Sequence, residues 1–514
     1  MERHGSESYF VLGEGLLAET AGGRVRTLSA AAEAATPPFR FSRMGPNGQG
    51  KQHTIALLKK LGEEMVGTVG AAGGIPAGFT YLGQFVDHDL TFDKTSVMLD
   101  ENVTPAQLTQ ARSPSLDLDS LYGAGPNDPA SEKFYEADKV HLKMGTAIPA
   151  KPGFDLPRGA GSNAAEKRKA IIPDPRNDEN LAVAQLHLAM IRFHNRVVDT
   201  LPASTPPGQR FAKARQKVVK HYQWMLRTDY LTRICAAGVV NNVFNQGRKA
   251  FEVGADPMSV PTMPIEFSVA AFRLGHSMIR AAYNWNRDFD DGSGTLDWLF
   301  IFSAGSGDLG GSQRLASNWI ADWRRLFDFS ENNKPALVVP PEKFNRAMRI
   351  DTRLVDPLDL LPGFPAPDEG NLASRNLRRA RMVNLATGQQ MFTFLKNKGV
   401  TLDKLTNVEI RDGNNNGMGM GAFTPAQRTA LIQRTPLWFY LLREAEFNNG
   451  KLKGVGARIV AETFHRAMEG STHSIVRDTD FKPSLGPNNQ TFRMVDLLFF
   501  AFEGKKALLN PLGD

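Results

Sequence analysis

The sequence predicts a mainly α fold: one large body of many helices, joined by long loops, with little β structure. Three observations predict it. Apolar residues recur at helical spacing over many segments, strand-like alternation is scarce, and Gly/Pro-rich connections separate the helical stretches. The chain has 514 residues, of which 41% are hydrophobic and 22% are charged. This is an ordinary globular composition, and the chain is long enough to bury a large cofactor.

The elements follow in chain order. Residues 1–60 are rich in Ala, Gly and Pro and are predicted to form an N-terminal arm, with the main domain over 61–514. Helical periodicity predicts helices over Glu179–Leu201, Gly208–Cys235, Ile265–Ala281, Ala316–Phe329, Ala373–Lys398 and Gly456–Ala467. Another helix begins at Thr424 as N-cap, followed by Pro425 and by Gln427. The long loops over 149–175 and 284–295 are typical of functional or surface-wrapping segments.

Charge and cysteine content exclude several protein classes. The net charge is only +7, and basic residues are interspersed with acids, so nucleic acid is not an expected partner. With Cys235 as the single cysteine, neither an intramolecular disulfide framework nor a thiolate cluster can form. The first residues lack a signal-peptide pattern, and the apolar run 497–502 is too short for a membrane span. We expect a cytoplasmic protein, or one secreted by a route that needs no signal peptide.

A polar cluster lies in the segment 79–90. The spacing of Gln84, Asp87 and His88 is i, i+3, i+4, which places the three side chains on one face of a helix. An amide, a carboxylate and an imidazole on one face favour a functional site. The alternative is a capped helix with a hydrogen-bonded core histidine. Asp89 points about a quarter of a turn away from His88.

An acidic loop follows at 113–119. If this loop is extended, the alternating Ser113, Ser115, Asp117 and Asp119 side chains share one face. Together with Asp89 they offer enough hard oxygen ligands for Ca²⁺. The alternative is an acidic turn with no bound ion.

Three further elements carry polar residues at helical spacing. Arg176 and Glu179 precede the helix that contains His187 and His194, and the plain alternative for them is an i, i+3 ion pair. An apolar segment contains His276, with Arg273 one turn before it and Gly275 beside it. A glycine at this position leaves room for a flat ligand near the imidazole. Farther on, Asn376 and Arg379 share a helical face.

In this order, these motifs resemble those of the animal haem peroxidases, the family of myeloperoxidase and lactoperoxidase, and most closely its bacterial, peroxicin-like members. The motifs are Gln84-x-x-Asp87-His88-Asp89, Asp117-x-Asp119-Ser-Leu-Tyr-Gly, Arg176-x-x-Glu179, Phe272-Arg-x-Gly-His276 and Asn376-x-x-Arg379. The resemblance extends from about residue 65 to the end of the chain. It implies a mainly α haem peroxidase that uses H2O2, through a ferryl intermediate, to oxidise small organic, halide or pseudohalide substrates.

The resemblance also implies the roles of the residues around the haem. His276 would be the proximal ligand of the haem iron, and Asn376 would accept the other ring N–H. On the distal side His88 would act first as base and then as acid towards H2O2. Arg176 would stabilise the charge that develops as the O–O bond breaks, and Gln84 would contact distal water and halide.

The remaining implied roles concern attachment and metal binding. Asp87 and Glu179 match the carboxylates that form ester bonds to haem methyl groups, so haem b is expected to be covalently held. Arg273 and Arg379 resemble the proximal arginines near the haem and its propionates. Asn180 replaces the methionine that myeloperoxidase links to the haem, so strong chloride oxidation is not expected. The calcium set would be Asp89, Ser113, Ser115, Asp117 and Asp119.

Two other functions are compatible with parts of the pattern. Fatty-acid dioxygenases of the cyclooxygenase type share the fold and the distal Gln-x-x-x-His spacing. Cyclooxygenases, however, place a radical tyrosine three residues before the proximal histidine, where this chain has Arg273. A non-catalytic, peroxinectin-like adhesion or calcium-binding protein is the second alternative. The motifs do not specify the reducing substrate or the oligomeric state.

Overall fold

The computed structural model describes residues 39–67, 72–95, 97–364 and 367–514, so residues 1–38 of the predicted arm lie outside the described residues. The α-helices are α1 (Ile55–Met65), α2 (Gly78–Leu90), α3 (Asp119–Tyr122), α4 (Ala164–Arg168), α5 (Leu181–Asp199), α6 (Pro207–Met225), α7 (Leu231–Ile234), α8 (Ala237–Gln246), α9 (Ile265–Ser268), α10 (Gly275–Met278), α11 (Leu296–Ile301), α12 (Pro367–Gly370), α13 (Leu372–Met382), α14 (Gly388–Asn397), α15 (Asn407–Asp412), α16 (Pro425–Gln433), α17 (Leu437–Glu446), α18 (Gly454–Glu469), α19 (Met494–Ala501) and α20 (Lys506–Leu509). The mainly α prediction is confirmed.

The β structure is slight. The strands are β1 (Phe41–Ser42), β2 (Ala72–Pro76), β3 (Gly145–Ala147), β4 (Lys151–Asp155), β5 (Met263–Pro264), β6 (Ala282–Tyr283), β7 (Gly294–Thr295) and β8 (Arg346–Met348). They pair two by two: β1 with β5 in parallel, and β2 with β8, β3 with β4 and β6 with β7 in antiparallel fashion. Within the described ranges these two-stranded ladders are the largest sheets, so helix packing forms the core.

The helix α5 is the centre of the core. It is buried along its length except at Arg192, Arg196 and Asp199, and it packs against α2, α6 and α19. Asn180 caps its N-terminus by accepting a hydrogen bond from the Val183 N–H at 2.9 Å. The helix therefore fixes the position of the residues that immediately precede it.

The helix α1 joins the N-terminal segment to the body. It crosses residue 60, the predicted domain boundary, and packs on α13. The two helices approach closely at Gly62, where a Cβ atom would lie 2.4 Å from the backbone nitrogen of Ser374. A side chain at this position would push the helices apart.

Several predicted helices are confirmed, with small shifts at their ends. The segments 179–201 and 456–467 are observed as α5 and α18, and Thr424 caps α16 in a capping box with Gln427. The segment 208–235 is helical, but a π turn at Leu226–Tyr230 separates α6 from α7. The predicted helix 373–398 is interrupted after α13, and Thr387 caps a new helix, α14.

Two predicted helices are wrong. Instead of one helix over 265–281 the structure has α9, a 3-10 turn at Ala271–Leu274 and α10, because Ala270 leaves the helical region with φ −137° and ψ −71°. Instead of a helix over 316–329 it has short 3-10 turns. There the Asp322 carboxylate accepts hydrogen bonds from the backbone N–H and the Nε of Arg324, at 3.1 and 2.9 Å. Such local side-chain bonds compete with helix formation.

No helix within the described ranges is both long and apolar enough to cross a bilayer.

The core contains histidines whose hydrogen bonds require the neutral ring. In α6, the Nδ1–H of His221 donates to the Lys217 carbonyl at 2.7 Å. Its Nε2 accepts from the backbone N–H groups of Ser484 and Leu485, at 2.9 and 3.2 Å. Burial lowers the pKa of His221 to about 4. A proton on Nε2 would remove both accepted bonds.

We therefore expect the free energy of unfolding to fall as the pH decreases from about 6.5 towards 4. In this interval the unfolded chain binds a proton that folded His221 does not, which amounts to a loss of up to about 3 kcal/mol. Denaturant titrations at a series of pH values measure it. The His221→Gln variant should be less stable at neutral pH and lose less stability on acidification.

His141 supplies a control of opposite sign. Although burial opposes the shift, hydrogen bonds to Asp138 and Asp199 raise the pKa of His141, so its stabilisation is present at low pH and lost as the pH rises. His141→Gln should therefore steepen the loss on acidification. Equal pH slopes for wild type and His221→Gln would contradict the prediction.

Candidate active site

A partly enclosed cavity lies between α2 on one wall and α10, with the 3-10 turn before it, on the other. Its lining residues are Thr80, Tyr81, Gly83, Gln84, Asp87, Asn180, Tyr230, Phe272, Arg273, Gly275, His276, Met278, Ile279 and Leu296. The walls are mostly apolar, and the polar groups converge from few positions, as is typical of ligand sites. Of the predicted site residues, Gln84, Asp87, Arg273 and His276 line this cavity, whereas the lining does not include His88, Arg176, Glu179, Asn376 or Arg379.

The helix α2 presents its polar face as predicted, and every residue of α2 except Gln84 is buried. Within the described part of the chain, the Asp87 Oδ1 atom has no hydrogen-bond partner. Burial raises the pKa of Asp87, against the opposing charge of Arg273, whose Nη1 lies 3.8 Å from Oδ2. A buried carboxylate oxygen at a cavity wall is costly unless a ligand engages it.

The His88 ring has a defined tautomer. His88 is fully buried, and its Nδ1 lies 2.8 Å from the Asn177 Oδ1, an acceptor, so Nδ1 carries the proton. In the neutral ring the lone pair is then on Nε2, which lies 3.4 Å from the Glu179 Oε1 and has no hydrogen-bond partner among the described residues. His88 can therefore accept a proton at Nε2.

Asn177 is itself held by a second histidine. Its Nδ2 lies 2.9 Å from the Nδ1 of His187 and donates to it. Burial lowers the pKa of His187 to about 3, which keeps this acceptor unprotonated. The amide thus bridges two rings in a fixed orientation. Sequence reasoning missed Asn177; the available signal was a histidine at position 187 in the mostly apolar first half of α5, where a buried ring requires a polar partner.

Glu179 is paired differently from either sequence interpretation. The Gln84 Nε2 donates to the Glu179 Oε1 at 2.5 Å, and the Asn180 Nδ2 donates to the Gln84 Oε1 at 3.0 Å. The i, i+3 ion pair between Arg176 and Glu179 is not formed. Glu179 instead joins the polar group around His88 on the α2 side of the cavity.

Arg176 is fixed next to the backbone of His88. Its Nε and Nη2 donate to the Asp174 carboxylate at 2.9 and 2.6 Å, and Nη2 also donates to the His88 carbonyl at 3.0 Å. Although burial opposes it, Arg176 and Arg112 hold the pKa of Asp174 well below its usual range. The guanidinium packs on Phe92, 4.4 Å from the ring centroid. A permanent positive charge therefore adjoins the backbone of His88.

On the opposite wall His276 has one side-chain partner at Nδ1. The Asn376 amide lies 2.8 Å from this nitrogen. Within the described ranges, the amide oxygen of Asn376 has no hydrogen-bond partner. A 180° rotation of the amide group exchanges its oxygen and nitrogen, and the oxygen then accepts a hydrogen bond from the Nδ1–H of His276. Nε2 then carries the lone pair that a metal ion requires.

The space next to His276 is open. A Cβ atom built on Gly275 meets no other atom within 4 Å. The glycine therefore leaves room for a flat group, as the sequence suggested. Arg273 is held by its Nε, which donates to the Ser268 carbonyl at 2.7 Å, and the buried Arg379 lies near Asp93.

The predicted calcium residues lie near one another, but not as one extended face; that part of the prediction is wrong. The segment bends before α3, which begins at Asp119. Asp117 accepts from the Ser471 hydroxyl at 2.7 Å, and Asp119 pairs with Arg215 at 3.1 Å.

The other members of the calcium set have separate partners. The Asp89 Oδ1 accepts from the Ser120 hydroxyl at 3.1 Å, the Ser113 hydroxyl accepts from the Ser115 N–H at 3.3 Å, and the Ser115 hydroxyl donates to the Gly470 carbonyl at 3.3 Å. Among the residues that the structure describes, no three His, Cys, Asp or Glu side chains are grouped to hold a metal ion. The loop departs from the predicted extended face because several of its residues bond to distant parts of the chain, namely Arg215, Gly470 and Ser471.

Comparisons with known proteins agree with this architecture. Residues 83–297 match the family described as animal haem peroxidase. Thyroid peroxidase of Rattus norvegicus is 27% identical over 199 residues, which cover 36% of this chain and 21% of that protein. The chain thus matches about one fifth of the length of such relatives.

Solved structures show the similarity in fold. Peroxidase A from Dictyostelium discoideum superposes with a TM-score of 0.54 at 14% identity, covering 92% of this chain and 93% of the other. The fatty acid alpha-dioxygenase of Oryza sativa gives 0.52 at 11% identity, covering 86% and 76%. At these identities the likeness concerns the fold alone.

Proposed function

We propose that this chain, whose residues 83–297 belong to the animal haem peroxidase family, is a haem peroxidase that reduces H2O2 and oxidises a small organic, halide or pseudohalide substrate. The observation that carries the proposal is the pair of walls around the cavity. One wall contains His276 with an amide partner on Nδ1. The other wall is formed by α2, which contributes Gln84 and Asp87 to the lining and also carries the buried His88, next to Asp87 in the chain. A metal ligand and an acid–base group are thus supplied by the two elements that enclose one cavity.

The cavity residues fit haem b. His276 would ligate the iron, Asn376 would orient the imidazole, and the open space at Gly275 would accept the porphyrin edge. Arg273 and Arg379 are the candidates for the propionates. Bound haem supplies an iron that cleaves the O–O bond of peroxide and stores the oxidising equivalents until a substrate returns electrons.

His88 would move the proton. Its Nε2 accepts the proton of the bound peroxide and returns it to the departing oxygen. The Asn177 amide keeps the other ring proton on Nδ1, so that Nε2 is unprotonated when peroxide enters. This type of proton transfer accelerates reactions by about 10²–10⁴-fold.

Arg176 would stabilise negative charge as the O–O bond breaks. Its guanidinium is positively charged and is fixed by Asp174 next to the backbone of His88. Gln84, at the cavity wall, would contact distal water or a halide. Both side chains are positioned before the substrate binds, which reduces the reorganisation needed during the reaction.

Asp87 and Glu179 would attach the haem. In an ester, the carboxyl oxygen would bond to a haem methyl carbon in place of one hydrogen; the two electrons and the proton released at that carbon, with the proton of the carboxyl group, would reduce one H2O2 to two water molecules. The Asp87 Oδ1 supports this role, because it lacks a partner within the described ranges and Asp87 lines the cavity. Glu179 is bonded to Gln84 and would have to exchange this contact for the ester.

The test is reconstitution with haem, treatment with a little H2O2, and extraction with acid and organic solvent. We expect a Soret band that responds to peroxide and pigment that stays with the protein. Asp87→Asn and Glu179→Gln should release more of the pigment while still binding haem. Asp93→Asn alters another buried carboxylate near Arg273 and Arg379 and should leave the attachment unchanged.

The outcomes separate the parts of the proposal. Freely extractable haem from peroxide-treated wild type would contradict the ester roles but leave haem binding intact. The absence of any Soret band after reconstitution would contradict the haem peroxidase assignment itself.

We also propose a calcium ion near Asp89, beside His88. The carboxylates of Asp89, Asp117 and Asp119 repel one another. Burial, and next the charge of Asp119, raise the pKa of Asp89. Burial and the charge of Asp117 raise the pKa of Asp119, against the opposing charge of Arg215. A divalent cation would relieve this repulsion and draw the loop oxygens together. Ion binding would then brace the C-terminal end of α2.

Neither alternative function has comparable support. For a cyclooxygenase-type dioxygenase, the position three residues before His276 holds Arg273, which lies beside the Asp87 carboxylate. An adhesion protein binds through its surface, and the fully buried His88, hydrogen-bonded through Asn177 to His187, contributes nothing to a surface. Peroxide turnover by the reconstituted protein separates a peroxidase from a binding module.

A further inference from the structure

A series of oxidisable aromatic side chains begins at the cavity wall. Tyr81 of α2 lines the cavity, and its hydroxyl donates to the Tyr283 hydroxyl at 2.8 Å. The centroids of the two rings are 6.0 Å apart. The hydrogen bond places the two phenols in contact with each other, and burial removes both from solvent.

The series continues through two buried tryptophans. Trp285 follows Tyr283 by two residues, and its indole N–H donates to the Trp319 carbonyl at 2.8 Å. The Trp319 ring stacks on Phe289 and Phe302, with centroids 3.6 and 4.2 Å away. It thus lies in a compact aromatic cluster.

The series ends at the surface. The centroid of the Trp298 ring lies 6.1 Å from that of Trp319, and Trp298 is 44% exposed whereas Trp285 and Trp319 are buried. Trp298 is on α11, whose first residue, Leu296, lines the cavity. Two helical residues correspond to about 3 Å of rise, so the backbone of Trp298 is within one helical turn of a residue that lines the cavity.

The surface around this indole is apolar. Ile301, three residues after Trp298 and therefore on the same side of α11, is 37% exposed. An exposed indole beside an exposed aliphatic side chain offers a stacking surface for an aromatic molecule.

We propose that Trp298 is a second oxidation site, at which aromatic reductants too bulky to enter the cavity are oxidised. Electrons would pass from the reductant to Trp298, then through Trp319, Trp285, Tyr283 and Tyr81 to the cavity. The inference rests on the proposed peroxidase function, because that reaction supplies the oxidant. The substrate class is phenols carried on large molecules.

The overall step balances. Two phenols, ArOH, each give one electron at Trp298 and release one proton to solvent, and H2O2 takes up two electrons and two protons: H2O2 + 2 ArOH → 2 H2O + 2 ArO•. Each aromatic side chain in the series is oxidised and reduced once per electron.

The test compares two reductants in the haem-reconstituted protein: a free small phenol, and the same phenol coupled to a large soluble dextran that cannot enter the cavity. Trp298→Phe removes the exposed indole with little effect on packing. We expect this variant to lose most of its activity towards the dextran-bound phenol and to keep its activity towards the free phenol. Trp224→Phe, the same change outside the aromatic series, should affect neither.

A second readout does not depend on turnover. Peroxide added to the haem-reconstituted protein without reductant should oxidise Trp298, which peptide mass spectrometry detects. Trp319→Phe should lower this modification, and protein without haem should show none. Circular dichroism confirms that each variant is folded.

The outcomes distinguish the two proposals. Equal oxidation of the dextran-bound phenol by wild type and Trp298→Phe, or an unmodified Trp298, would overturn the surface site while the peroxidase function stands. Wild type that oxidises neither phenol would overturn the peroxidase function, and the surface site with it.

Discussion

We expect replacement of His276 with alanine to abolish the spectrum of a histidine-ligated haem in the reconstituted protein and, with it, peroxidase turnover. The side chain is buried at the cavity wall, and its Nδ1 is engaged by Asn376, which leaves Nε2 as the nitrogen for iron. Alanine provides no ligand, and a cavity replaces the ring. Absorption and resonance Raman spectra of the reconstituted variant measure the iron–histidine ligation.

Asn376→Ala provides the matched second variant. It retains the iron ligand but removes the acceptor of the other ring N–H, so we expect ligation to persist and the reduction potential of the iron to rise. His194→Ala is the control, because this buried histidine bonds Tyr122 and Val140 outside the cavity. A normal five-coordinate histidyl spectrum from His276→Ala would exclude His276 as the ligand.

We expect replacement of His88 with alanine to slow the reaction with H2O2 by about 10²–10⁴-fold. The physical reason is the loss of the unprotonated Nε2, the group placed to take the peroxide proton. Haem binding is expected to remain, because His88 is not on the wall that holds the iron ligand. Stopped-flow measurement of the Soret change after mixing with H2O2 gives the rate constant.

The relay behind His88 makes this prediction more specific. Asn177→Leu leaves the imidazole in place but removes the acceptor on Nδ1, so the rate should fall by less than in His88→Ala and its pH profile should shift. Added imidazole should partly restore the rate of His88→Ala by filling the vacated space. If the H2O2 reaction of His88→Ala were as fast as that of wild type, another group would have to be the base.

The geometry of the distal site was only partly readable in the sequence. Helical spacing placed Gln84, Asp87 and His88 on one face, and the structure has that face. It did not reveal that the His88 proton is held by Asn177, 89 residues away. Nor did it show that Glu179 bonds Gln84 rather than Arg176.

The acidic loop and the aromatic series show the same limit. Alternation predicted one face for 113–119, but the loop bends because Asp117 bonds the segment 471–472 and Asp119 bonds Arg215. Tyr81 and Tyr283 are 202 residues apart, and neither position has a local pattern that pairs them. A segment that satisfies its polar groups through distant partners need not keep the conformation that its own spacing favours.

The sequence by itself determined the mainly α class, the polar face of α2 and four of the residues that line the cavity, Gln84, Asp87, Arg273 and His276, because helical periodicity and motif spacing are local properties of the chain. Tertiary structure alone decided the ring tautomers, the pairing of the buried carboxylates, the breaks at 269–274 and 316–329, and the aromatic series that ends at Trp298. These features depend on which side chains meet across the core, and such contacts form only when the helices pack, where burial requires each polar group to find a partner.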